Sequence, residues 1–210
     1  MEAVSLTTSE AGYVLERSNL AINKAVDTGL IRASTRPGPG GRGTLRFLGI
    51  PELRFLKVAD VLDKDLTRLG QRKIYEAIRR LRHQEHRLQI GLLTVELSPL
   101  DRALEARLDR LATLRAGVTL SASGEPVIHG TSVPVYAVAS LARGETIGEI
   151  MDDYPSLTRT QIENAIDYAR AYPKKGRPFP TRSFKRGGAD LGLGEVETER
   201  TRDGPRLIHS

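Results

Sequence analysis

Cysteine is absent from all 210 residues, which excludes a disulfide framework and any thiolate metal site. Histidine is scarce, at four. No serine or threonine can be matched with a convergent base on that supply, so nucleophilic catalysis finds no constellation. His83 and His86 have a helical spacing that can hold a metal, but no third ligand and no His-Glu-x-x-His arrangement accompany them. The pair reads as a solvated helix face, and Asp152-Asp153 as a charged helix end. A basic-then-apolar leader is missing, and the longest nearly unbroken apolar run, Val133 to Ala142, is far too short to cross a bilayer. Hydrophobic content of 39% is low for a compact globule, so part of the chain reads as a tail. These absences describe a soluble, cytoplasmic protein with no catalytic residues, no metal and no cofactor.

Charge is present in quantity and is unevenly spread. Residues 1–90 hold 16 basic and 10 acidic side chains, residues 91–172 hold 7 and 11, and residues 173–210 hold 9 and 5. A basic front points to a polyanionic partner, and a basic end to a second acidic one. The front has matching local signals. Thr7 and Glu10 form a capping-box pair for a helix over Thr8 to Leu15, and Ser18 caps a second that stops at Thr28-Gly29. Leu30 to Ser34 and Thr44 to Leu48 read as strands joined by a Gly- and Pro-rich loop. Gly38 to Thr44 has the look of a phosphate loop, yet Gly43 stands where its lysine belongs, so the segment reads as a wing tip. A helix pair followed by a basic hairpin is the layout of a winged helix-turn-helix. With Leu20, Ile22 and Val26 placed inward, Asn19, Asn23, Lys24 and Asp27 project outward. Asn pairs with adenine in the major groove, and Lys or Arg holds phosphate or guanine. The candidate DNA-binding set is Ser18, Asn19, Asn23, Lys24, Arg36, Arg42 and Arg46. This half, with its Gly29-Leu30-Ile31 junction, resembles the MerR-like winged-helix family. Asn23 and Lys24 stand where that family carries an aromatic pair.

Pro51 opens a third helix to about Leu62, and Gln71 to Arg87 reads as a fourth with Arg72, Lys73, Arg79, Arg80 and Arg82 outside. Leu88 to Leu97 reads as extended. Ser98, Pro99 and Asp101 start a long helix whose seam of Leu100, Leu104, Leu108 and Leu111 faces the protein body or a second subunit, core packing being favoured. Pro126 to Ile128, the turn Gly130-Thr131 and Val133 to Val135 read as a hairpin or clip. Three short helices follow. The first ends at Gly144 as a left-handed C-terminal residue, the second starts at Thr146 with Glu149 and closes at Pro155, and the third starts at Thr158 with Gln161.

The expected fold class is therefore mainly α: an N-terminal winged helix-turn-helix over residues 1–70, a helical and extended connector with a dimerisation seam over 71–118, a three-helix domain with a short β clip over 119–173, and a flexible basic tail over 174–210. The third of these, through Gly124, Pro126, Val127, Ile128, Gly130, Thr131, Gly144, Ile147, Glu149, Ile150, Tyr154, Pro155, Leu157, Thr158, Gln161, Ile162, Tyr168 and Ala169, resembles a small domain of VapB-type antitoxins. Its net negative charge and Glu149, Asp152 and Asp153 favour a packing or partner-docking role over DNA contact. The resemblance implies a PIN-domain (VapC-like) endoribonuclease toxin as partner. The tail residues Arg177, Phe179, Arg182, Phe184, Lys185 and Arg186 are then the candidate toxin-binding set, guanidinium groups pairing with carboxylates and the rings anchoring them. The expected protein is a homodimeric antitoxin that also binds its operator. The rivals are a stand-alone MerR-like regulator and a scaffold without nucleic acid.

Overall fold

The computed structural model of the protein describes residues 4–41, 43–62, 67–82, 84–174 and 179–181. It is mainly helical, with eight α-helices and three small antiparallel sheets among the described residues. Thr7 caps α1 (Thr8–Leu15) through a full capping box, its hydroxyl accepting from the Glu10 amide while the Glu10 carboxylate accepts from the Thr7 amide. Ser18 caps α2 (Asn19–Asp27) through the Ala21 amide. Gly29 then reverses the chain in the left-handed region (φ 69°), where only glycine sits without strain.

The amides of Leu30 and Ile31 both donate to the Ala25 carbonyl, and Ile31 is buried against the helix pair. Those two residues still wrap the helix end, so the first wing strand starts later than the alternation suggests: β2 is Ser34–Pro37. It pairs with β3 (Thr44–Leu48) in the register Ser34 to Phe47 and Pro37 to Thr44. A two-residue strand, β1 (Leu6–Thr7), covers the other edge of β3 and gives the order β1-β3-β2. Pro37 is tolerated because β2 lies at the sheet edge.

From β3 the chain enters α3 (Ile50–Leu62) and, after Thr67 as cap, α4 (Arg68–Arg80). The fourth helix is shorter at its end than the basic periodicity implies. Leu81 turns extended, and the Arg82 amide donates to the Glu85 carboxylate, which starts a turn. Leu88 to Leu97 is a hairpin, not one extended run: β4 (Arg87–Ile90) pairs with β5 (Leu93–Glu96) about Gly91. The leucine seam of α5 (Ser98–Ala116) faces the body, with Leu104, Leu111 and Leu114 buried. One core collects Leu6, Val14, Ile22, Ile31, Leu48, Leu53, Phe55, Leu56, Ile74, Ile78, Leu88, Leu97, Leu104 and Leu111, so α4, the hairpin and α5 share it with the winged unit. Asp101 does not cap α5. Its carboxylate is buried, takes two hydrogen bonds from Arg54 (2.7 and 3.0 Å) and meets His86 Nδ1 at 2.6 Å.

Beyond Gly117 a second core forms. β7 (Pro126–Ile128) pairs along one edge with β6 (Val118–Leu120), and on its other edge the expected clip forms, the Ile128 amide donating to the Val133 carbonyl (3.0 Å). Pro134 has no amide to extend a ladder and makes one bridge to Val127 before α6 (Val135–Leu141) begins. α7 (Ile147–Asp153) and α8 (Arg159–Ala171) start from capping boxes at Thr146–Glu149 and Thr158–Gln161. Leu157 and Ile162, at the staple positions of α8, are both buried. Gly144 is not left-handed, contrary to its expected capping role. Ile128, Val135, Val138, Leu141, Ile150, Leu157, Ile162 and Ala165 make this core. It is tied to the first by Arg110 of α5, which donates to Asn164 and Asp167 of α8.

Candidate nucleic-acid interface

Helix α2 buries Ile22 and Ala25 and packs Val26 against the core, an i, i+3, i+4 stripe. The opposite face presents Lys24, Asp27 and Leu20, with Asn23 at its margin. Leu20 is 80% exposed, so it belongs to the outward face and not to the core. Residues 20 and 22 cannot share a helix side, and the Ile22 stripe fixes the rotation. Asn19, Lys24 and Asp27 are exposed, as the outward placement requires.

The predicted polar residues divide into positioning groups and free ones. The Ser18 hydroxyl serves as the cap. Asn23 Nδ2 donates to the Asn19 carbonyl (3.0 Å) and to Asn19 Oδ1 (2.9 Å). Arg46, on the wing strand β3, donates to Asn23 Oδ1 (3.2 Å) and pairs with Asp27 (2.7 Å). It thereby fixes the wing against α2 and neutralises the one carboxylate on the outward face. Arg36 is exposed on β2 with its guanidinium 4.7 Å from the centre of the Phe47 ring. Arg42 lies outside the described residues. The wing tip turns at Gly40, Gly41 and Gly43, all at positive φ, and joins two antiparallel strands, which suits a short wing.

A basic cleft of about 540 Å³ runs along one flank of α2, lined by Lys24 and Thr28 together with Arg17, Arg68 and Arg72. Arg17 is held there by Asp60 and the Leu56 carbonyl. Tyr75 places α4 beside the wing root: its hydroxyl donates to Glu52 (2.7 Å) and accepts from the Arg32 amide (3.0 Å). Burial and the neighbouring Glu52 carboxylate push the Tyr75 phenol up to about 12. Arg68 and Arg72 belong to this face although sequence reasoning assigned them no role there. Their spacing of four residues puts them on one side of α4, which begins at Arg68 after the Thr67 cap and not at Gln71.

A second groove of about 550 Å³ flanks α2 on the wing side. Asn19, Asn23, Thr44 and Arg46 form one wall, and Tyr136, Tyr172 and Pro173 form the other. Tyr172 is held by Arg115 Nε (2.5 Å), whose Nη2 donates to buried Glu10 (2.5 Å). Burial pushes the Tyr172 phenol up, and the Glu10 hydrogen bond and charge add to the rise. Burial opposes ionisation of Glu10 too, but the hydrogen bonds from Arg115 and the Thr7 amide outweigh it and hold the carboxyl below its ordinary value.

Of the candidate toxin-binding residues, Arg177, Arg182, Phe184, Lys185 and Arg186 lie outside the described residues. Phe179 is half-buried on the chain's own C-terminal module, with its carbonyl accepting from Ser140 Oγ (2.8 Å) and Lys174 Nζ 4.0 Å from its ring centre. No cluster of three or more His, Asp or Glu side chains able to hold a metal occurs among the described residues. Nor is any helix among them long and apolar enough to cross a membrane.

No solved structure matches the chain. A protein of Sinorhizobium fredii (strain NBRC 101917 / NGR234), "Uncharacterized protein y4eO", is 44% identical over 89 residues, and the chain spans only 40% of that relative's length, the match taking 40% of this chain. Residues 121–169, which take in β7, α6, α7 and nearly all of α8, match the family described as "Protein of unknown function (DUF433)", and it is to that family's module that the second core of this chain is similar.

Proposed function

We propose that the protein is an antitoxin-type DNA-binding regulator, whose winged unit binds operator DNA as a homodimer and whose C-terminal part holds a PIN-domain ribonuclease. The observation that carries the DNA reading is the outward face of α2 with its one carboxylate, Asp27, already paired to Arg46. Lys24 and the Arg68–Arg72 flank would then face the duplex with little opposing charge, and Asn19 and Asn23, which line the neighbouring groove, would supply amides to base edges. The toxin reading rests on the resemblance of residues 124–169 to the small domain of VapB-type antitoxins.

Gel-shift titration against the DNA upstream of the protein's own reading frame tests the first part. Lys24→Ala combined with Arg72→Ala should reduce the slope of log affinity against log salt by about 2, roughly one for each phosphate no longer neutralised. An unchanged slope removes the assignment. Co-expression with a neighbouring PIN-domain frame tests the second part: RNA cleavage silenced by the full chain and restored by truncation after Tyr172 supports it. Phe179 docked on its own module favours the rival reading of a stand-alone MerR-like regulator. That rival is preferred if DNA binds and the nuclease is neither retained nor silenced.

A further inference from the structure

Helix α6 carries a feature that neither the DNA face nor the second core requires. Ser140 is buried, 7% exposed, yet polar, and its hydroxyl is satisfied by the Phe179 carbonyl at 2.8 Å, a residue 39 positions away. One turn on, Gly144 has an ordinary backbone that any residue could adopt. A Cβ there would lie 2.7 Å from the carbonyl oxygen of Thr181 and 3.6 Å from its carbonyl carbon, an approach no real side chain tolerates. Glycine stands at 144 because another stretch of backbone passes over it. The same stretch is gripped from above. Lys174 Nζ pairs with Glu125 at 3.2 Å, lies 5.6 Å from the centre of the Tyr136 ring, and lies 4.0 Å from that of Phe179.

We infer that the α6 face of the module, built from Tyr136, Ser140 and Gly144, is a docking cleft for an extended aromatic–proline–small segment, and that this chain fills it in cis with Phe179-Pro180-Thr181 as a latch. The chemistry matches the occupant at each step. A buried hydroxyl donates to a main-chain carbonyl, which any extended segment offers. The missing side chain at 144 admits backbone, and the ammonium of Lys174 faces a ring. Pro180 lowers the entropy lost on docking, since its φ is already set. The inference deepens the antitoxin reading and rests on it for one consequence. Phe179 belongs to the root of the C-terminal segment and not to the surface that meets a nuclease, which falls to the residues after Thr181.

Trypsin digestion of the full-length protein, followed by mass spectrometry, tests the latch without DNA or nuclease, so its failure leaves the functional reading untouched. A protease binds several residues of extended chain around the cleaved bond, and cleavage tracks the population of the released segment. Cleavage after Lys174, Lys175 or Arg182 should be slow in the wild type. It should rise about tenfold in Gly144→Ala and two- to tenfold in Ser140→Ala, which loses one buried hydrogen bond. Phe179→Ala acts from the strap side and leaves the module intact, so it should accelerate the same bonds even if Gly144→Ala fails to fold. Rates at those bonds equal to the wild type in both Gly144→Ala and Phe179→Ala overturn the latch.

Discussion

The two cores of this chain are assembled in opposite ways. The second is local. Its buried residues fall between Ile128 and Ala165, and α7 and α8 each begin at a reciprocal capping box within four consecutive residues. The first is distributed. It runs from Leu6 to Leu111 and takes in Ala171, and it is tied by polar pairs far apart in sequence: Arg54 with Asp101, Tyr75 with Glu52, Arg17 with Asp60. A local core resists single losses at a distance, because each helix carries its own start signal. A distributed one depends on long-range polar pairs whose partners arrive from other elements.

The sharpest way to break that contrast is Asp101→Ala. It removes both carboxylate bonds from the buried Arg54 guanidinium and the carboxylate that His86 meets. The expected loss is about 3–5 kcal/mol, seen as a fall in the urea midpoint. A loss below about 1 kcal/mol would mean that the first core does not rely on this pair. The next effect in size is on DNA. Asn23→Ala removes the amide proposed to read bases and one partner of Arg46, and on that proposal should cost about 1–3 kcal/mol of discrimination between cognate and mutated sites. Equal loss on every sequence would instead assign Asn23 to holding the wing. The local core is probed by Thr146→Ala and Thr158→Ala, each expected to cost about 1 kcal/mol. The caps serve different helices, so the double variant should cost about 2 kcal/mol in thermal denaturation. A clear excess over the sum would show that α7 and α8 are one cooperative piece.

The same contrast explains what was legible in the sequence. Thr7–Glu10, Thr146–Glu149 and Thr158–Gln161 are interactions over three positions, and the helices they start lie where the sequence places them. Leu104 and Leu111 likewise turn inward from a helical repeat. The misses sit where a distant group decides. Asp101 looks like a helix-start residue and is the counterion of Arg54 on another helix. Val133 to Val135 does clip onto Pro126 to Ile128 through the Val127–Pro134 bridge, but the strand on the other edge, Val118 to Leu120, comes from beyond the long helix and gave no local signal. Gly144 looks like a helix terminator and is a gap left for Thr181. In the candidate site, Asn19, Asn23 and Lys24 could be read from one helix. The contribution of Arg68 needed Tyr75 to carry α4 beside α2.

The smallest expected effect lies in the first core, between α1 and α5, and depends on pH. Glu10 sits at the start of α1, 5% exposed, and receives Arg115 from α5 and the amide of its own cap. Burial alone would raise its pKa, yet these hydrogen bonds hold it below its ordinary value near 4.5. A carboxyl with a lowered folded pKa stabilises the fold fully above its unfolded pKa and loses that contribution as pH falls through the folded one. Stability should therefore decline on acidification below the ordinary glutamate range. Glu10→Gln should flatten part of that decline, so that the two proteins differ most near neutral pH and converge in acid. The effect is modest, since half-exposed Arg115 is screened by water. Glu96 is also held low, by its hydrogen bonds from Ser98, and supplies a separate part of the acid response that the variant keeps. Urea midpoints at about pH 7 and about pH 3 distinguish the outcomes. No gap between wild type and Glu10→Gln at either pH would show that Glu10 acts through its capping geometry, which a glutamine can share, and not through its charge on Arg115.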